Sequence, residues 1–315
     1  MLRLFFVLTV IATAARAAVI ETDICVFGGT SAGIAAAVHA SRMGKTAVVV
    51  EPGKFLGGLT TGGLGATDIG NKAAVGGLSR EFYHRIAQHY AKPASWKLET
   101  APEYFGRRRG GQAGASSLEG PDATMWTFEP SVALAIFQEL LREAKVEAHT
   151  QQRLASLKKS GTRITEIAIE NGNVFRAKMF IDATYEGDFM AKAGVSYHVG
   201  REANALYAET LNGIRAQTPH HQFRVAVDPY VKPGDPSSGL LPLIQPGDGG
   251  KPGDGDRSVQ AYNYRLCFTT NPANRMPVTP PANYDPKRFE LLGRYFDALA
   301  AAGQDRKSTR LNSSH

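Results

Sequence analysis

The sequence predicts an α/β fold with a parallel sheet, an inserted β-meander and a second, incomplete α+β domain. Three features carry this expectation. Two continuous apolar runs flank a small-residue helix near the N-terminus, alternating residues with turn dipeptides fill 153–180, and a looser Pro/Gly/Asp-rich pattern follows Phe189. Continuous apolar runs suit parallel strands buried on both faces, whereas alternation suits antiparallel strands with one wet face. With 43% hydrophobic residues in a chain of 315, a substantial core can form.

The first element is an apolar strand, Ile24, Cys25, Val26 and Phe27, followed by the turn Gly28-Gly29-Thr30-Ser31-Ala32-Gly33. A helix comes next, on which Gly33, Ala37 and Ser41 recur at i+4 and give a flat, small face, with Gly44 where its C-terminus is expected. Ala47, Val48, Val49 and Val50 form the second strand and Glu51 closes it. Residues 23–51 are thus a Rossmann-like βαβ unit. Its turn aims backbone N–H groups and a helix N-terminus at a pyrophosphate, and Gly28 and Gly33 allow the tight turn and the close helix–strand approach. The fingerprint G-x-G-x-x-G is broken at its second glycine by Thr30. The hydroxyls of Thr30 and Ser31 are expected to compensate by donating to phosphate oxygens. Glu51 stands where the fingerprint places the acid that accepts from an adenosine ribose, which disfavours a 2′-phosphate and favours FAD or NAD over NADP.

Residues 52–65 are a glycine-dense loop without helical period. An extended flavin dinucleotide needs such backbone approach near its ring, and a cofactor limited to NAD does not. The alternative is a flexible surface loop, since glycine alone does not separate the two.

At this point the chain resembles the FAD-dependent oxidoreductases of the glutathione-reductase-like superfamily. In particular it resembles an often secreted bacterial group, related to the heterodisulfide reductase A-like proteins, with a GG-T-x-A-G fingerprint. Three further segments are similar: Gly57-Gly58-Leu59-Thr60-Thr61-Gly62, matching a G-G-x-x-T-x-G loop near the flavin; Asp182-Ala183-Thr184 through Asp188, matching an acid-Ala-Thr closure; and Ala261-Tyr262-Asn263-Tyr264-Arg265, matching an "AYNYR" stretch. The resemblance implies FAD as cofactor, with Gly28, Gly29, Thr30, Ser31, Ala32 and Gly33 at the pyrophosphate and Glu51 at the ribose. It further implies Gly57, Gly58 and Thr60 near the flavin, and Asp182, Ala183 and Thr184 closing the site. Heterodisulfide reductase A-like relatives ligate iron–sulfur clusters through four cysteines apiece. With only Cys25 and Cys267, this chain cannot do so alone.

Beyond the glycine loop, Leu78, Phe82, Ile86 and Tyr90 recur every four residues and predict a helix over 75–90. Residues 92–120, rich in Gly, Ser and Arg, read as an excursion from the core, with Arg107-Arg108-Arg109 as a solvated loop. Pro130 suits the first turn of a helix running to about Ala144. Ser160-Gly161 and Asn171-Gly172 punctuate the meander over 153–180. Residues 18–188 are then an FAD-binding domain and 189–304 a substrate domain in which 228–256 read as a long loop. Asp254-Gly255-Asp256 suggests calcium, but an EF-hand needs Glu where Arg265 stands. His84, His89, His220 and His221 lack metal-ligand spacing and read as surface histidines, so no metal is expected. Arg265, Tyr264 and His198 are the polar residues of the second half considered for catalysis, and each has an equally simple structural role.

The two ends are separate from the fold. Residues 1–17 carry Arg3, an apolar run and Ala15-Arg16-Ala17, the pattern of a Sec-type signal peptide, and the run is too short to anchor the chain in a bilayer. A secreted or periplasmic location is expected. Residues 305–315 match the translation of a sequencing adapter, which predicts a C-terminally truncated fragment. The formal charge of +7 includes two from Arg3 and Arg16 and a net two from Arg306, Lys307 and Arg310 against Asp305, so the remainder is +3. That balance gives no reason to expect nucleic acid as a partner. Both cysteines are expected as buried thiols. The expected activity is hydride or electron transfer between a small-molecule substrate, bound flavin and an electron acceptor. The alternatives are an NAD-linked dehydrogenase and a non-catalytic dinucleotide-binding protein.

Overall fold

The computed structural model describes residues 17–107, 117–215, 218, 222–260, 266, 268–269 and 271–304. They fall into two compact units, the first running to Ser196 and taking in Leu266, the second holding the rest from Tyr197.

The first unit is built on a six-stranded sheet. β1 (Val19–Phe27) is central, with β2 (Ala47–Val50) and β6 (Val174–Asp182) as parallel neighbours. β3 (Glu147–His149) extends the parallel part beyond β2, while β5 (Arg163–Ile169) and β4 (Leu154–Ser160) extend it antiparallel beyond β6. The meander therefore joins the main sheet through its own last strand. Gly161 and Gly172, at φ +62° and +93°, make its two turns, a conformation that costs glycine least.

Side chains alternate across the pleat and bury both faces. Val26 and Val49 point to one face and pack under α1 (Ser31–Arg42), α2 (Gly77–Tyr90) and α4 (Pro130–Glu143), against Ile34, Ala37, Phe82, Ile86, Phe137 and Leu140. Cys25, Phe27, Val48 and Val50 point to the other face, against Ile167, Phe175 and Phe189. Phe189 belongs to the short α5 (Asp188–Lys192) and its ring meets Phe27 at 5.5 Å. Three ion pairs lock the helical layer: Arg42–Glu81 at 2.6 Å, Arg85–Glu81 at 2.8 Å and Arg85–Glu143 at 2.7 Å.

The stretch expected to leave the core returns to it. α3 (Ala101–Arg107) brings Tyr104 and Phe105 beside Trp96, and the Tyr104 hydroxyl lies 2.6 Å from Thr127 Oγ1. Its polar composition concealed three aromatic side chains, whose burial outweighs the surrounding glycines and serines. Arg107 ends this helix rather than opening a loop, and Arg108 and Arg109 lie outside the described residues.

In the second unit the expected long loop contains a hairpin, β7 (Tyr230–Lys232) and β8 (Asp235–Leu240). Asp228 nucleates it, its carboxylate accepting from Tyr230 N at 2.8 Å and Gly234 N at 2.5 Å. Arg294 of α6 (Glu290–Ala301) donates to the Tyr230 carbonyl at 2.6 Å, so side chains rather than an apolar pattern hold this hairpin. Asp256 of the suspected calcium segment is paired with the Arg201 guanidinium, which holds its carboxyl well below the usual range.

Candidate functional site

β1 delivers the chain to the fingerprint turn, where Gly28 and Gly33 are required by the backbone around them and Gly29 by close side chains. Gly28 has φ +108°, and a Cβ on it would lie 2.6 Å from the Ala183 carbonyl carbon. A Cβ on Gly29 would lie 2.7 Å from Leu56 Cδ2, and one on Gly33 2.0 Å from the Gly28 carbonyl oxygen. Thr30 is the N-cap of α1: its Oγ1 accepts from Gly33 N at 3.2 Å and donates to the Ala183 carbonyl at 2.8 Å. The expectation that this hydroxyl donates to phosphate is therefore corrected, because its single proton is committed and the residue is 6% exposed. The substitution at the second glycine instead ties the helix start to the end of β6. The parallel bridge of Thr30 with Gly57 turns the Ser31 N–H toward the Gly57 carbonyl, and the Ala32 N–H, which has no protein acceptor among the described residues, remains for an anion at the positive end of α1.

Glu51 turns back on the turn. Its Oε2 accepts from Gly29 N at 2.5 Å and its Oε1 from Gly53 N at 2.6 Å. Each carboxylate oxygen keeps a further lone pair, so the side chain can brace the turn and still accept a hydroxyl.

The glycine loop is pinned, which removes the flexible surface loop as its explanation. Gly57 N donates to Gly29 O at 2.7 Å, Thr61 Oγ1 donates to Leu56 O, and Phe128 N donates to Gly65 O at 2.8 Å. Gly57 and Gly58 both have positive φ, +95° and +55°. Thr60 and Ser31 meet in a small cavity beside α1, lined also by Ile34 and Phe82.

β6 ends at Asp182. Ala183 N donates to Phe27 O at 2.8 Å, bringing the closing segment against the turn. The Asp182 carboxylate accepts from Thr184 N at 3.0 Å, Thr184 Oγ1 at 2.7 Å and Met190 N at 2.9 Å. It organises the turn into α5.

A cleft of about 490 Å³ results, and Gly28, Thr30, Glu51, Gly58 and Thr184 line it together. Gly29, Gly33, Gly57, Asp182 and Ala183 shape this wall from behind. Ala32 is exposed on the first turn of α1. The sequence reading missed Phe55, Arg153, Glu170, Tyr185 and Lys192, which also line it. Arg153 and Glu170 sit at the two ends of the β4–β5 hairpin, where Glu170 N donates to Arg153 O at 2.9 Å, and no local motif marks them. Tyr185 directly follows the acid-Ala-Thr segment, and that adjacency was a usable signal.

Of the catalytic candidates, only His198 is among the described residues. His198 is exposed in the second unit, and Tyr264 and Arg265 lie outside the described residues. His84 is a half-buried structural group, its Nδ1 2.7 Å from the Ala123 carbonyl, and burial lowers the His89 pKa. Cys25 is fully buried, which pushes its thiol up to about 12, and Cys267 lies outside the described residues. Among the described residues no three His, Cys, Asp or Glu side chains are grouped to hold a metal ion. Nor is any helix there long and apolar enough to cross a membrane.

No curated protein matches the sequence. Solved structures similar to the chain include L-proline dehydrogenase from P. horikoshii, at 14% identity and TM-score 0.37, covering 58% of this chain and 59% of that one. L-amino acid deaminase from Proteus vulgaris matches at 17% identity and TM-score 0.39, covering 60% and 53% respectively. The 3-ketosteroid-delta4-(5alpha)-dehydrogenase from Rhodococcus jostii RHA1 matches at 17% identity and TM-score 0.30, covering 53% and 46%. The chain thus spans about half the length of these proteins. The family model of the FAD dependent oxidoreductases matches residues 23–314, and with that extent of match the chain belongs to the FAD dependent oxidoreductase family.

Proposed function

We propose that the cleft holds the dinucleotide half of FAD, and that the chain is an exported oxidoreductase acting on a small-molecule substrate. The carrying observation is that five expected cofactor residues, from four separate segments, line one cleft of about 490 Å³. The residues fit the group: a cradle in which Gly28 and Gly33 leave no room for a Cβ against neighbouring backbone, the Ala32 N–H at a helix N-terminus and one carboxylate at the end of β2. FAD, when bound, supplies the exchange of hydride or electrons with substrate.

In this reading Ala32 binds the pyrophosphate through its backbone N–H, and Glu51 orients the ribose while bracing Gly29. Ser31 and Thr60, side by side in the smaller cavity, continue the path toward the flavin with Gly57 and Gly58. Asp182, Ala183 and Thr184 hold the turn in place. Residues 18–188 form the FAD-binding domain, and residues 189–304, with His198, Tyr264 and Arg265, are proposed to select substrate. Within the family we place the chain in the glutathione-reductase-like superfamily, beside the exported group related to heterodisulfide reductase A, on its GG-T-x-A-G turn. Export rests on Arg3, the apolar run behind it and Ala15-Arg16-Ala17.

An absorption spectrum of the purified chain after gel filtration with FAD tests the reading. Flavin bands that travel with the protein are expected. A colourless protein that binds NAD would overturn it in favour of an NAD-linked dehydrogenase.

A further inference from the structure

We propose that Tyr185 is a positioning residue that latches the glycine loop onto the end of β6 and so preorganises the cofactor cleft. The inference rests on the cleft being the FAD site. Tyr185 is 59% exposed and lines the cleft, yet its hydroxyl is not left to solvent: Leu59 N donates to Tyr185 Oη at 3.1 Å. Gly58, next to Leu59, completes the fit. A Cβ on Gly58 would lie 2.2 Å from Tyr185 Oη and 3.0 Å from Cζ, so a side chain there would displace the phenol from its place on the loop.

This contact joins segments that otherwise touch the cleft separately. The loop is tied at Gly57 to the fingerprint turn, through Gly57 N to Gly29 O, and Ala183 is tied to the end of β1. The hydroxyl of Tyr185 closes the ring between them. A loop held in its binding position before ligand arrives does not have to be ordered on binding, and that saving appears as affinity.

The test uses the full chain, with Tyr185→Phe to remove the hydroxyl and keep the ring. Two readouts are taken. Without cofactor, amide exchange at Leu59 is expected to accelerate in the variant while the melting temperature is unchanged. With FAD, the dissociation constant is expected to rise roughly three- to tenfold, the effect of losing one neutral hydrogen bond. Gly58→Ala is expected to weaken FAD binding less in a Tyr185→Ala background than in the parent, because the side chain it strikes has gone. Unchanged Leu59 exchange overturns the latch whatever the cofactor does. Faster exchange with unchanged FAD affinity overturns its role in positioning. If Leu59 responds but the parent chain binds no FAD, the cofactor reading itself has failed and the positioning role falls with it.

Discussion

Replacing glycine by alanine inside a helix removes backbone entropy from the unfolded chain and favours the helix by about 1 kcal/mol. Two helices of this chain should answer that substitution with opposite signs. Gly293 is exposed in α6 and nothing lies within 4 Å of where its Cβ would stand, so Gly293→Ala should realise the full gain. Gly33 is buried in α1, and there the new methyl would lie 2.0 Å from the Gly28 carbonyl oxygen and 3.2 Å from Ala183 Cβ. The first neighbour is backbone and cannot rotate away. Overpacking of this kind costs ~1–3 kcal/mol and more where backbone must shift, so the steric cost outweighs the helical gain. At roughly 2–8 °C per kcal/mol for domains between 60 and 250 residues, Gly293→Ala should raise the melting temperature of the second unit by a few degrees. Gly33→Ala should lower that of the first by a similar amount or more. Scanning calorimetry on the full chain reads both, with amide exchange assigning each transition to its unit. A Gly33→Ala variant as stable as its parent would refute the claim that the turn and helix meet this closely.

Glu51→Gln keeps the shape of the side chain but places an amide where one of two backbone donors now finds a carboxylate oxygen. Charged hydrogen bonds of this kind are worth about 1.5–3 kcal/mol, so FAD affinity by fluorescence titration should fall roughly ten- to a hundredfold, and an unchanged affinity would remove Glu51 from the site. The carboxyl of Glu81 is held below its ordinary value chiefly by Arg42 and then by Arg85, and that of Glu143 chiefly by Arg85. Depressed carboxyl pKa values stabilise the folded chain above the ordinary value of 4.5, and this contribution is lost as the pH falls below it. Melting temperatures between pH 3 and 7 should therefore drop on acidification, and drop less in Arg85→Ala; parallel curves would refute the coupling. With its thiol pushed up to about 12 by burial, Cys25 should escape iodoacetamide at pH 8 in the folded chain and react only in denaturant, as peptide mapping would show. Alkylation of native protein at Cys25 would contradict its burial.

The parts of the fold legible in the sequence were those whose signal is local. The runs around the fingerprint turn, the four-residue spacing from Leu78 to Tyr90, Pro130 at the head of α4 and the glycines at 161 and 172 each fix their element with neighbouring residues. The hairpin at Tyr230–Leu240 was missed because its support is distant: Arg294 reaches back to the Tyr230 carbonyl at 2.6 Å. The segment around Trp96 was missed for a related reason, its aromatics being spread through polar surroundings with no period. In the site, the turn, Glu51 and the glycine loop were visible as motifs. The use of Thr30 was not, because the acceptor of its hydroxyl proton is a carbonyl at the end of the neighbouring strand β6, 153 residues further along the chain. Arg153 and Glu170 are placed by how the hairpin folds back and Lys192 by the course of α5, which no spacing encodes.

The central pairing of the sheet also governs how the chain can fold. Val19 is partnered by Val174 and Phe27 by Asp182, so the first strand to leave the ribosome waits for nearly the whole first unit before its sheet closes. Long-range closure of this kind makes folding slow, since loop entropy is lost before the contacts that compensate it can form. The same strand order that builds the cleft leaves β1 without its longest partner until β6 arrives, and makes that arrival the event that commits the chain to its folded form.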